Sequence, residues 1–592
     1  MNTNGTAFYG DNWLNAKPTY ITNMEKCKPN TALDHEFKPK RWRMLPYETD
    51  SLSGVLLIAG AETIAQTIAF PLEVSGWHAV SIGAWKLKDW YLSGADSHKL
   101  LLKLSSEQTF SVMDLPRLHE PTQRLIEWDR WTRGEELEEN FWKIADLTDQ
   151  ELVLGQEAQR VAPGDNPGSI KCSPATIAYI KLVPLSESEV ASWKSDFQRK
   201  DTRRLFAHND FTIPSTEEEI RRQIEPFRNS DYSRMYYEGA MGDVRHYLNN
   251  HAGKIPTFED VGDFFSVHSR KEAEDWQKWK ERDVDPFQVM LDHTHEIGLE
   301  FHACYRVSGF HFPPPLDHYD LGYSLYNEHP ELRGVDRNGV LTPRLAYSYP
   351  ETRKYVISVL LEMANYDIDG ICIMYNRRIP LVEYEPPVVE GFKAEYGLDP
   401  RQLDEFDHRW LSYRARILTQ FMREVREAMD KKTKNHGKSR QLEITAIVMS
   451  SEEENLINGI DAKAWVEEEL VDTLVPYTSE PNMNHVDEAW TDVSKIDYFL
   501  SITRGTSCIL APNMQPPTFT AEGYLHRANS LYRKGIDSLF FWWGDVGNAN
   551  YKNSWNTLRR LGHREEIEAW VNNGKPNLDA PLLTVNKLGD WD

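Results

Sequence analysis

The chain has 592 residues, 40% of them apolar, with 19 Trp, 26 Tyr and 23 Phe and a formal charge of −24. This is globular composition, and it exceeds what one hydrophobic core usually serves, so two domains are expected. The acidity excludes a duplex nucleic-acid binder or a protein docking on anionic membrane, both of which need clustered Lys and Arg, and no apolar run is long enough to span a bilayer.

The opening "MNTNGTAFYGDNWLNAKPTY" has no basic region followed by an apolar stretch. The expected location is therefore cytoplasmic, or periplasmic or secreted where a signal has been removed. Cys27, Cys172, Cys304, Cys372 and Cys508 are scattered and form no CxxC pair, which supports neither a disulfide framework nor a zinc ribbon. Up to about residue 200 the pattern is short strands between turns: "SGVLLIAG" (53–60), "TIAQTIAF" (63–70), "GWHAVSIG" (76–83), "KLLLKL" (99–104), "EQTFSVM" (107–113), "ELVLG" (151–155) and "ATIAYIKLVPL" (175–185). Strands at this spacing without helices between them predict an antiparallel β-sandwich over residues 1–200, either carbohydrate-binding or a structural neighbour.

From "PSTEEEIRRQIEPF", where Ser215 or Thr216 caps a helix, strands and helices alternate. The predicted strands are "SRMYYEGAM", "LEFHACYRV", "LAYSYP", "IDGICIMYN", "LEITAIVMS", "DTLVPYTSE", then "IDYFLSITR" or "SCILAPNM", and "IDSLFFWWGDVG". About eight strand–helix units over residues 201–592 predict an α/β fold, a (β/α)8 TIM barrel following the β-sandwich. A doubly wound sheet is less favoured, since no GxGxxG follows any strand.

In a barrel, residues just past each strand converge on one face. The strand ends bring Glu238; His302, Tyr305 and Arg306; Tyr347 and Tyr349; Asn376, Arg377, Glu383 and Glu385; Glu452 and Glu453; Tyr477 and Glu480; Arg504; Asn513; and Trp542, Trp543 and Asp545. Carboxylates, amides, arginines and flat rings in one cleft suit glycan chemistry. Cleaving a glycoside takes one carboxylic acid to protonate the leaving oxygen and a second carboxylate to attack or to activate water. His293 and His295 stand two apart on a predicted helix and cannot easily share an ion, and no HExxH occurs, so neither metal nor cofactor is expected.

The barrel half resembles the glycosyl-hydrolase-like family 10 proteins. "HEIGLEFHACYRV" is similar to that family's second-strand segment, "RLAYSYPETRKYVISVLLEM" to its third, "YDIDGICIMYNR" to its fourth and "WVEEELVDTLVPYTSE" to its sixth, over roughly residues 230–550. The resemblance implies a sugar-cleaving barrel. It also implies an acidic pair at the end of the fourth strand, where this chain has Met374 and Tyr375.

The reading is a glycosidase acting on an oligosaccharide or polysaccharide, with anionic sugars compatible and a homo-oligomer left open. Glu480 is the expected general acid/base, with Glu385, Glu383 or Asp545 as partner. Substrate contacts fall to Glu238, His302, Tyr305, Tyr349, Asn376, Arg377, Tyr477, Arg504, Trp542 and Trp543. The alternatives are a non-catalytic glycan-binding barrel, or a lyase or sugar-modifying enzyme using Tyr375 or His302 as base.

Overall fold

The computed structural model describes residues 16–60, 63–85, 98–115, 136–157, 172–209, 214–242, 244–248, 267–308, 324–377, 379–435, 441–477, 493–514, 521–542, 555–573 and 581–589. The first part is built from two antiparallel sheets. One runs in the order Thr19–Ile21, Tyr179–Pro184, Trp77–Trp85, Glu136–Asp146, Leu582–Leu588, Trp42–Thr49, Ser53–Ala59, Ala175–Ile177, and the other in the order Ile68–Pro71, Glu151–Gln156, His98–Leu104, Ser111–Leu115. Their alternating apolar residues meet in one core: Leu57, Val80 and Ile82 from the first sheet with Phe70, Leu102 and Leu152 from the second. The strand expected at 63–70 begins only at Ile68. The last strand, Leu582–Leu588, pairs with Trp42–Thr49 and Glu136–Asp146. A segment assigned to the 201–592 unit thus completes the sheet of the 1–200 unit.

The second part is a curled parallel sheet. Its strands are β1 Leu205–Asn209, β2 Tyr232–Met241, β3 Glu300–Arg306, β4 Gly370–Met374, β5 Glu443–Met449, β6 Thr473–Tyr477, β7 Ile509–Leu510 and β8 Leu539–Phe541. Neighbours pair in parallel in the order β7-β6-β5-β4-β3-β2-β1-β8. Just past β7 the chain turns to β8: Phe540 N donates to Pro512 O at 3.0 Å and Met514 N to Phe540 O at 2.7 Å.

Parallel strands buried on both faces read as unbroken apolar runs, and "GICIM" is one. Cys372 and Met374 face inward with Cys304, Ile447, Val475 and Phe540. Ile371, Ile373 and Tyr375 face outward into the layer of helices, with Leu360, Phe421 and Trp465. All five cysteines are buried. Among the described residues no helix is long and apolar enough to cross a membrane.

Two expected strands are not in the parallel sheet. "LAYSYP" is the end of a two-stranded hairpin, Arg333–Val335 with Leu341–Leu345, followed by the start of helix Pro350–Met363. "IDYFLSIT" is the helix Ile496–Thr503, and "SCILAPNM" supplies β7. Among the described residues the parallel strands number eight, because "LFAHN" supplies β1; Val244–Arg245 adds a short antiparallel strand to β2.

Candidate active site

Inward-facing positions at the C-terminal ends of the strands collect polar groups. On β2, Glu238 is buried and ion-paired with Arg306, the last residue of β3: Arg306 Nε lies 2.7 Å from Oε1 and Nη2 donates to Oε2 at 2.9 Å. Such a charge-assisted pair fixes the orientation of both side chains. Two residues beyond the inward-facing Met374, Asn376 is only 4% exposed, and neither amide atom has a hydrogen-bond partner. Asn513, past β7, is 3% exposed. Its Oδ1 accepts from Trp542 N at 3.2 Å, while its Nδ2 donor is unbonded.

Trp542 follows β8 and holds the cluster together. Its ring stacks on His208 of β1 at 4.0 Å and 13°, meets Tyr477 of β6 at 5.0 Å, and carries the Arg377 guanidinium at 5.8 Å from its centroid. Strands four apart in an eight-strand curl face each other, so Arg377, past β4, reaches across to β8. The structure therefore brings together Glu238, Asn376, Arg377, Tyr477 and Trp542. It adds His208, Arg306 and Asn513. Arg306 and Asn513 were visible as strand-end residues, but His208 was not, because β1 went unrecognised.

Trp542 does not offer a platform to a sugar ring. It has no exposed surface, and the imidazole of His208 occupies one face. Its ring is buried beneath the strand ends, 5.8 Å from the Arg377 guanidinium carbon.

Other expected residues lie elsewhere. His302 is fully buried near the start of β3, paired in register with Gly370 at the start of β4, so it belongs to the opposite end of the strands. Burial lowers its pKa and holds the ring neutral. There it joins Glu300 and Glu443, with candidate ligand atoms within 4.8 Å of one another. Arg234 already bridges the two carboxylates, with Nε 2.9 Å from Glu300 and Nη1 2.7 Å from Glu443. His293 and His295, the pair two apart on the preceding helix, bind Glu225 and Asp369 instead.

Tyr305 and Tyr375 point outward into the helix layer, because odd and even positions of a strand face opposite ways. The Tyr375 hydroxyl contacts Met422 Sδ at 3.0 Å, and burial raises its pKa. Neither Tyr375 nor His302 reaches the site as a base. Arg504 is exposed at the end of helix Ile496–Thr503, ahead of β7, and so stands at the N-terminal end of that strand. Glu452 and Glu453 are exposed in the first turn of the helix Glu452–Ile457, capped by Ser451.

Glu383 and Glu385 form a second polar cluster, beside the hairpin that follows β3. Glu383 is ion-paired with Arg344 at 2.9 Å. Glu385 has no exposed surface, and its carboxyl turns back on its own loop, accepting from Glu383 N at 3.0 Å and from Ser348 Oγ at 3.2 Å. Burial pushes it up to about 7 against the lowering effect of backbone amides. Tyr349, capping the next helix, lies near Glu385 and takes a raised pKa from burial and from that carboxyl. The Glu385 carboxyl is thus engaged within this second cluster. Glu480, Trp543 and Asp545 lie outside the described residues.

A curled parallel sheet whose strand ends gather charged, amide and aromatic groups is an α/β arrangement with a candidate site at its C-terminal face. Residues 263–496 match the family described as glycosyl hydrolase-like 10, the one the sequence motifs resemble. No curated protein matches the chain. Among solved structures, the α-L-fucosidase isoenzyme 2 from Paenibacillus thiaminolyticus is similar at 14% identity and a TM-score of 0.36, over 62% of this chain and 50% of that one. The β-amylase catalytic domain from Paenibacillus polymyxa gives 12% and 0.40, over 61% and 99%. The β-galactosidase from the psychrophilic Marinomonas ef1 gives 11% and 0.38, over 63% and 61%. This chain thus spans half the length of the fucosidase, and likenesses at these scores carry no argument about activity.

Proposed function

We propose that the protein is a glycoside hydrolase whose parallel sheet closes as a (β/α)8 barrel, and that it cleaves an oligosaccharide or polysaccharide in the mouth formed by the strand ends. Closure is supported by the hydrogen bonds that join the chain past β7 to β8. The N-terminal antiparallel sheets are read as a sandwich accompanying it, with carbohydrate binding as its proposed role.

The observation that carries the proposal is the pair of buried amides at the mouth. Asn376 Oδ1 and Nδ2 and Asn513 Nδ2 are buried without a partner. Leaving such groups unmet costs about 1–3 kcal/mol each, which folding alone gives no reason to retain. Vicinal hydroxyls, each both donor and acceptor, meet those needs. The Glu238–Arg306 pair supplies fixed charge beside them, and a carboxylate already bound to a guanidinium serves as an anion, not as the proton donor. With Glu383 and Glu385 engaged elsewhere, the acid/base role rests with Glu480, three residues past the end of β6, and the partner role with Glu238 or Asp545.

The test is a screen of purified protein against neutral and anionic oligosaccharides, with product analysis. Wild type is expected to release reducing ends, and Glu480→Gln to lose at least 100-fold in turnover while binding persists. Full turnover in that variant would remove Glu480 from the acid/base role. A second reading, a glycan-binding barrel that does not hydrolyse, is favoured by Met374 and Tyr375, which stand where the related family carries acids. It predicts saturable binding with no new reducing ends.

A further inference from the structure

We infer that the mouth selects a sugar bearing an oxyanion, a sulfate ester or a uronate carboxylate, and that Arg377 is the residue that reads it. The inference rests on the glycan reading above and narrows it to a substrate class.

Arg377 has no carboxylate partner among the described residues; its one named contact is the face of Trp542. An arginine at a protein surface normally finds an acid or water, and this chain offers acids freely, with 91 Asp and Glu against 67 Lys and Arg. Here the guanidinium lies instead 5.8 Å from the centroid of an indole that itself packs against His208 and Tyr477. That contact leaves its N–H groups without a carboxylate partner among the described residues. A planar guanidinium fork matches carboxylate and sulfate oxygens in a bidentate way.

The neighbours nearest Trp542 add donors, while the Glu238 carboxylate, paired with Arg306, is the anion of the mouth. Because Oδ1 of Asn513 is taken by Trp542 N, the group it has left is a donor. The Asn376 amide adjoins Arg377 in the chain and has a donor to spare. Behind Asn513, Arg527 Nη2 donates to its backbone oxygen at 3.4 Å, which places a second cation against the same wall. Donors and cations therefore gather around Trp542, in a protein whose overall charge is −24. That overall charge repels polyanions, but screening confines the repulsion to about 10 Å at ordinary salt. Recognition then has to be local, which is what a guanidinium without a carboxylate partner among the described residues provides.

The experiment is calorimetric titration of the full chain with three oligosaccharides of one backbone: neutral, uronate-bearing and sulfated. Inorganic sulfate is added as a probe that needs no sugar, read by thermal shift. Wild type is expected to bind at least one anionic sugar 10-fold or more tightly than the neutral one. Arg377→Gln should abolish that preference at an unchanged melting temperature, and Arg377→Lys should recover part of it. Whether the sulfated or the uronate arm leads identifies the source of the anion. Equal affinity for neutral and anionic sugars, or a preference that survives Arg377→Gln, overturns the inference and leaves the glycan reading standing. Sulfate stabilisation lost in Arg377→Gln, with no sugar bound, keeps the anion site and removes the glycan reading. No response to any of the four probes removes both.

Discussion

Glu385 and Asn376 are both buried at the ends of βα segments, yet only one has spare hydrogen-bonding capacity. The Glu385 carboxyl accepts from Glu383 N and Ser348 Oγ and so holds its loop in place. Burial raises it to about 7 from 4.5, so between those pH values the unfolded chain ionises while the folded chain stays protonated. The unfolded state then binds fewer protons, and stability falls as pH rises through that window, by on the order of 3 kcal/mol in all. Glu385→Gln keeps an acceptor and removes the charge. Its expected effect is small at pH 5 and a gain of about 1–3 kcal/mol at pH 8, with turnover within a few-fold of wild type. Urea unfolding at the two pH values, with an activity assay beside it, checks this. A well-folded Glu385→Gln variant that loses activity 100-fold would return the residue to the catalytic list.

Between elements, the Glu238–Arg306 pair ties the C-terminal ends of β2 and β3 inside the curl. Removing one member of a buried pair leaves an uncompensated charge and costs about 3–5 kcal/mol, whereas replacing both with apolar or neutral groups is often nearly neutral. Arg306→Met should therefore lower the unfolding free energy by about that amount, and Glu238→Gln combined with Arg306→Met should recover most of it while activity stays lost. A double variant no more stable than Arg306→Met would mean that the pair is not the source of the cost.

The parallel strands were legible where they were long and wholly apolar, as in "GICIM" and "EITAIVM". They were not legible where the sheet took short or polar pieces. "LFAHN" has five residues, ends in His and Asn, and follows a basic segment, so its apolar signal is slight. In "ELEENFWKIAD" four acids interrupt the alternation, yet it is the eleven-residue strand Glu136–Asp146. "LAYSYP" and "IDYFLSITR" misled for the opposite reason, since their aromatic and β-branched residues suit a strand but were drawn into a turn and a helix by tertiary packing. The site followed the same logic. Position just past an apolar strand identified Asn376 and Trp542, whereas Tyr305 fell on the wrong face. Arg504 followed a helix, so it could not stand at a strand's C-terminal end.

At the scale of the whole molecule, the joint between the two halves is an ionic network. The protonated His563 ring donates from Nδ1 to Asp231 Oδ2, 2.7 Å away just before β2, and from Nε2 to Asp196 Oδ1, 3.0 Å away on the linking helix Glu187–Phe197. Arg560 pairs with Asp196 at 2.6 Å and with Glu566 at 2.8 Å. Burial favours a neutral imidazole, but the two aspartates outweigh it and push His563 up to about 9 from 6.5. The folded ring keeps its proton after the unfolded one has lost it. Its contribution is therefore complete below pH 6.5 and disappears as pH rises through 9, on the order of 3 kcal/mol in total. Wild type should melt lower at pH 9 than at pH 6. His563→Gln should lower the melting temperature at pH 6 and flatten the decline between pH 6.5 and 9, and Glu385→Gln should flatten only the part between 4.5 and 7. Because the network lies at the N-terminal end of the strands, away from the mouth, His563→Gln should leave KM unchanged at a temperature where the variant is folded. A raised KM there would mean that the joint communicates with the site, and that the two halves do more than stand side by side.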